Sequence, residues 1–131
     1  MIVIDSSAIL AILEKESDGA VYARAVREAG SIMVSAVNAH ETGIVLRGRR
    51  GPRGETALWT FLSNNAVEIA PFDEPQVRLA GEAFDRYGKD IHSQARLNLC
   101  DCAAYALAKS LSVPLLFKGD DFIHTDVEVW R

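Results

Sequence analysis

Acidic residues stand at four places in this chain where a carboxylate has chemical use. Asp5 ends the apolar run of M-I-V-I-D-S-S-A. Glu41 lies in S-A-V-N-A-H-E-T, Asp101 in L-N-L-C-D-C-A-A, and Asp120 and Asp121 in L-L-F-K-G-D-D-F. Each has a plain structural explanation. Asp5 suits a helix N-cap, although Ser6 and Ser7 could serve equally well. Glu41 suits a solvated helix face, Asp101 the third position of a capping box begun by Asn98, and Asp120–Asp121 a polar turn. As a set they point elsewhere. Two carboxylates about 4 Å apart repel by about 4 kcal/mol at an effective dielectric of 20, so a converging cluster calls for a counter-charge. Hard oxygen ligands without histidine or cysteine favour Mg2+ or Mn2+ over zinc.

The elements that must position these acids alternate between short apolar runs and helical stretches. Strands are expected at 2–4, 31–34, 67–70 and 113–117, with 127–130 as a fifth at an edge. Helices are expected at 7–16, 19–29, from the Ser35 cap to 49, and at 55–63, 74–87 and 98–110, with Gly51-Pro52 as a break and 89–97 as a loop. Short apolar strands separated by helices imply an α/β fold, a central, mainly parallel sheet of four to five strands covered on both faces. In such folds ligands bind beyond the carboxyl ends of the strands. Asp5 and the Asp120–Asp121 pair directly follow strands there, and Glu41 lies in the helix after the second. On that helix Val37, Ile44 and Val45 are spaced to share the face of Glu41, which would place its charge within an apolar stripe.

A chain of 131 residues, 49% hydrophobic and 24% charged, fits one globular domain spanning 1–131. No apolar run approaches a membrane span, and Asp5, Glu14, Lys15 and Glu16 interrupt the region a signal peptide needs, so a cytoplasmic protein is expected. Cys100 and Cys102 flank Asp101, too close for an ordinary structural disulfide, and read as small reduced core residues. The net charge of −4 argues against binding nucleic acid by bulk charge. Arg47, Arg49, Arg50 and Arg53 nevertheless gather in R-G-R-R-G-P-R, a local grip for a phosphate backbone or a solvated helix end suited to the dipole.

These stretches, with P-L-L-F-K-G-D-D-F-I-H-T-D-V, R-R-G-P-R-G and R-Y-G-K, resemble the PIN-domain ribonucleases over essentially the whole chain. More narrowly they resemble the VapC-type toxins of bacterial toxin–antitoxin pairs. The resemblance implies a three-layer α/β/α fold and a Mg2+- or Mn2+-dependent endoribonuclease that hydrolyses RNA, tRNA or another structured RNA, with a metal-activated water. Asp5, Glu41 and Asp101 match the family's first three acids. The fourth belongs in G-D-D-F, with Asp121 favoured and Asp120 the alternative. Leu99-Cys100 departs from the aromatic and glycine often found there. Arg47, Arg49 and Arg50 fall near the expected RNA entrance, and Ser6 or Ser7 could support Asp5 or a phosphate. His40 and His92 are conceivable bases that a metal-activated water makes unnecessary. A homodimer and a VapB-type antitoxin, whose C-terminal segment covers the acids, are implied as partners.

Other classes fit less well. A haloacid-dehalogenase phosphatase needs a second acid two residues after the first, where Ser7 stands. A receiver domain keeps its acceptor after a central strand of the sequence. The alternative from a different class is a non-catalytic PIN-fold module that binds RNA or a partner, for which lost acids would be the signature; none is lost.

Overall fold

The computed structural model describes residues 1–130. Four short strands, β1 (Ile2–Ile4), β2 (Ile32–Ser35), β3 (Glu68–Ala70) and β4 (Leu115–Leu116), form one sheet in the order β3-β2-β1-β4. Every pairing is parallel, with Val3 opposite Met33 on one side and Leu115 on the other. Six helices connect and cover the strands: α1 (Ser6–Leu13), α2 (Gly19–Glu28), α3 (Ala36–Arg50), α4 (Pro52–Asn64), α5 (Glu74–Tyr87) and α6 (Leu99–Leu111).

The three apolar residues of β1 are completely buried because the strand is central and both faces are covered. Alternation sends Ile2 and Ile4 to one face and Val3 to the other. Ile2 and Ile4 pack in a cluster with Ile9, Val26, Leu46, Leu58 and Phe61 from α1 to α4. Val3 joins Ala80, Ala83, Tyr87, Tyr105 and Leu107 from α5 and α6, with Phe117 and Phe122. Two cores on opposite faces of one parallel sheet make the expected three-layer α/β/α arrangement.

The differences from the sequence expectation have local causes. Helix α4 begins at Pro52 rather than at residue 55, since a proline at the first helical position gives up no hydrogen bond. The fourth strand shrinks to two residues. The expected edge strand at 127–130 reduces to a single parallel bridge, Leu115 with Val129, held by Leu115 N–H to Glu128 O at 2.8 Å and Trp130 N–H to Leu115 O at 3.1 Å. The 89–97 loop is closed at its base by Lys89 N–H to Leu97 O and Leu97 N–H to Tyr87 O, both 2.8 Å. The buried stripe of α3 is Asn38, Ala39, Thr42, Gly43 and Leu46, whereas Ile44 is 52% exposed. Glu41 is half-buried at the edge of that stripe, not in its middle.

Candidate active site

The site is built where β1, β4, α3 and α6 meet. The tie between β1 and β4 continues one residue past the strand to Asp5, whose N–H donates to Leu116 O at 2.9 Å. Asp5 then turns the chain into α1 as its N-cap: Oδ2 accepts the Ser7 N–H at 3.0 Å and the Ser7 hydroxyl at 2.5 Å. The Ser7 oxygen in turn accepts the N–H of Lys118 at 2.9 Å, so a hydrogen-bond chain joins Asp5 to the segment after β4. Capping therefore occupies one carboxylate oxygen. The other, Oδ1, faces Nδ2 of Asn38 at 3.5 Å. Ser35 caps α3 through Val37 N–H at 3.3 Å and sets the phase that brings Glu41 toward the same place.

Asp101 forms a reciprocal capping box with Asn98, their backbone N–H groups donating to Asp101 Oδ2 and Asn98 Oδ1 at 3.0 and 2.9 Å. The capping explanation is correct, yet it does not describe the whole environment. Burial, followed by the charges of Asp5, Asp121 and Glu41, pushes the Asp101 carboxyl up to about 7 against the pull of the Asn98 hydrogen bond. Asp5 rises to about 6, mainly by burial and also through Glu41, while its bonds to Ser7 and Ser6 oppose the rise. The Cys100 thiol is pushed up to about 12 by burial and by Glu41, Asp101 and Asp5. Thus Asp101 lies within the fields of Asp5, Glu41 and Asp121, and Asp5 within that of Glu41.

Of the adjacent aspartates, Asp121 is the one whose charge reaches Asp101. It is exposed, and its loop is anchored by the next residue, Phe122, buried against Phe117 with ring centroids 4.9 Å apart. Asp120 is also exposed, and its carbonyl accepts Ile123 N–H at 3.3 Å in the turn. Among the described residues, no three His, Cys, Asp or Glu side chains close into a metal cage; the acids form an open cluster. Its donor chemistry fits a hard divalent cation: the acids supply oxygen only, and burial and mutual repulsion raise two of them, which a cation would reverse.

The other residues singled out from the sequence divide. Ser6 is buried, donates from Oγ to Asn38 O at 3.2 Å, and presents no free hydroxyl to a phosphate. Arg47 is ion-paired with Glu55. Arg50 donates to Leu13 O at 2.6 Å and pairs with Glu14 at 3.3 Å. It thereby caps the end of α1 that lies about 12 Å from Asp5, at 1.5 Å per helical residue. Arg49 and Arg53 are exposed and form no ion pair among the described residues. His40 lines a groove of about 250 Å³ between α3 and α4 with Arg47, Glu55 and Trp59, apart from the acids. His92 accepts Gln94 and Ala95 N–H at Nδ1, at 3.1 and 2.9 Å, and packs against Tyr87 with the rings tilted by 53°, a loop staple rather than a base.

Asn38 was invisible as a site residue from sequence. It is fully buried, and Nδ2 donates to Cys100 O at 3.0 Å and lies 3.3 Å from Ser6 Oγ. The available signal was spacing: Asn38 stands three residues before Glu41, on the same side of α3.

The sequence profile of the PIN domain matches residues 2–128. Ribonuclease VapC28 of Mycobacterium tuberculosis is 41% identical over 126 residues, covering 96% of this chain and 95% of that protein. Ribonuclease VapC42 of the same species is 36% identical over 125 residues, 95% of each chain. Among solved structures, the sarcin-ricin loop cleaving toxin VapC20 of M. tuberculosis superposes with a TM-score of 0.82 at 18% identity, covering 100% of this chain and 99% of its own. VapBC2 from Rickettsia felis, bound to a DNA fragment from its promoter, gives 0.79 at 16% identity with full coverage of both chains.

Proposed function

Since the chain belongs to the PIN-domain family and is a relative of its VapC ribonucleases, we propose that it is the toxin of a toxin–antitoxin pair, a divalent-metal-dependent endoribonuclease acting at Asp5, Glu41, Asp101 and Asp121. The observation that carries the reading is the coupled acid cluster at the carboxyl end of a parallel sheet, with Asp5 and Asp101 raised by burial and by neighbouring carboxylates.

Asp5, Glu41, Asp101 and Asp121 would hold Mg2+ or Mn2+. When bound, the cation supplies a water of lowered pKa and stabilises charge on the phosphate. The protein's part is placement. Ser7 holds Asp5 Oδ2, while Oδ1 faces the Asn38 amide. The capping box fixes Asp101 at the first turn of α6. The Phe122 anchor brings Asp121 within range of Asp101. Ser7, Cys100 and His92 are not set up as protein nucleophiles: Ser7 is engaged with Asp5, the Cys100 thiol is held protonated at neutral pH, and His92 braces its loop.

A structured RNA, tRNA among the candidates, is the proposed substrate. A VapB-type antitoxin is the proposed partner, supported by the VapBC complex among the fold neighbours, together with a second copy of the chain as a homodimer. The test is cleavage of total cellular RNA by antitoxin-free protein in Mg2+, Mn2+ or EDTA, for wild type and Asp5→Asn. Defined fragments from wild type with metal, and none with EDTA or Asp5→Asn, are expected. Absence of fragments from a folded wild type under every condition would move the reading to a binding module.

A further inference from the structure

We propose that Asn38 is a positioning residue that sets the separation of the acids, an inference resting on the nuclease reading above. Its side chain leaves α3, the helix that also carries Glu41, and enters the junction of two others. Nδ2 donates to Cys100 O, the carbonyl immediately before Asp101, at 3.0 Å, and faces Asp5 Oδ1 at 3.5 Å and Ser6 Oγ at 3.3 Å. Asn38 O accepts the Ser6 hydroxyl at 3.2 Å and the Thr42 hydroxyl at 2.7 Å. One residue thus ties the β1–α1 turn with Asp5, the α3 turn with Glu41, and the α6 start with Asp101.

The orientation of the amide follows from its partners. Turning it over would aim Oδ1 at a carbonyl and a carboxylate, both acceptors. In the orientation observed, Oδ1 is buried without a hydrogen-bond partner. An apolar side chain of similar volume would fill the space without that cost. What the amide alone supplies is a donor shared between the elements carrying Asp5 and Asp101. That donor holds the two together while their charges push them apart.

Asn38→Leu, which removes the donor and is somewhat larger, is compared with Thr42→Val, which removes a buried hydroxyl from the same face without touching an acid. Asn38→Ala makes the same comparison, with neither donor nor added bulk, should the leucine variant fail to fold. Each is assayed at a temperature where urea titration shows it folded, by Mn2+ calorimetry and by cleavage kinetics. For Asn38→Leu and Asn38→Ala, Mn2+ affinity and kcat are expected to fall about 10- to 100-fold, the usual cost of losing an outer-shell partner, with KM for RNA little changed. Thr42→Val should lose stability but keep both.

Wild-type Mn2+ affinity and kcat in the folded Asn38 variants, or equal losses in Thr42→Val, would overturn the proposal while leaving the nuclease reading intact. A wild-type protein that neither binds Mn2+ nor cuts RNA would remove both. Metal binding without cleavage in the wild type would remove the nuclease reading, and the calorimetric comparison would still decide the role of Asn38.

Discussion

At neutral pH the first turn of α6 holds a carboxylate pulled two ways. The Asn98 N–H favours charged Asp101, while burial and the charges of Asp5, Asp121 and Glu41 oppose it and raise its pKa to about 7. The unfolded chain releases this proton near pH 4. Between about pH 4 and 7 the folded state therefore holds protons that the unfolded state has lost, at Asp101 and at Asp5. By linkage these groups make the metal-free protein more stable as pH falls through that range. Asp126 opposes this only at the acid end: hydrogen bonds from Tyr105 and Lys109 outweigh burial and lower its pKa, so its contribution is lost below the ordinary carboxylate range. Thermal unfolding in EDTA should give a higher Tm at pH 5.5 than at pH 7.5, and Asp101→Asn should raise Tm at pH 7.5 and flatten the profile. The Asn side chain can still accept the Asn98 N–H through its carbonyl oxygen. A lower Tm for Asp101→Asn would mean that capping outweighs repulsion. Sequence showed both roles of Asp101 but could not weigh them, because the repulsion depends on how closely residues 5, 41 and 121 approach it.

The elements explain what was and was not legible in the chain. The strands declared themselves as short branched apolar runs, and the caps Ser35 and Asn98 as polar residues before helical spacing. The phase of α3 did not. Ile44 and Val45 mark an apolar face by composition, yet the side turned inward carries Asn38 and Thr42, because the acid cluster and the packing of α4 decide the rotation. The same packing explains Gly54. A Cβ there would collide with backbone atoms of Leu46 on α3, so the two helices touch where only hydrogen fits. Gly54→Ala is expected to destabilise by about 1–3 kcal/mol, read as a lower urea midpoint. An unchanged midpoint would mean that α4 can slide away from α3 at no cost.

Across the whole molecule the net charge is −4, so the proposed RNA substrate calls for a local basic patch. The sequence suggested four arginines for it. The structure commits two of them to the protein: Arg47 to Glu55, and Arg50 to the end of α1. Arg49 and Arg53 remain, and each phosphate contact to a single strand contributes about 0.7 to the salt slope. Arg49→Ala with Arg53→Ala should weaken RNA binding and lower the slope of log Kd against log salt by roughly 1.4. Arg50→Ala should leave the slope alone and cost about 0.3–1 kcal/mol in stability, as expected for a cation removed from a helix C-terminus. A slope unaltered by the double change would place the RNA elsewhere. Burial and pairing, which composition does not reveal, separate the two kinds of arginine.

The order of the sheet has a consequence for the chain while it is being made. Strand β1 is made before β2 and β4 but lies between them, so one of its edges stays open until residues 115–116, more than a hundred residues later, are in place. Asp5 is pinned on the same side, through its own N–H to Leu116 and through Ser7 to Lys118. A nascent chain that stops before residue 115 already carries Asp5, Asn38, Glu41 and Asp101 but lacks Asp121 and the ties of Asp5 and Ser7 to Leu116 and Lys118. The fourth acid and the brace on the first thus arrive together, and translation arrested before residue 115 leaves an open strand edge beside an incomplete acid cluster.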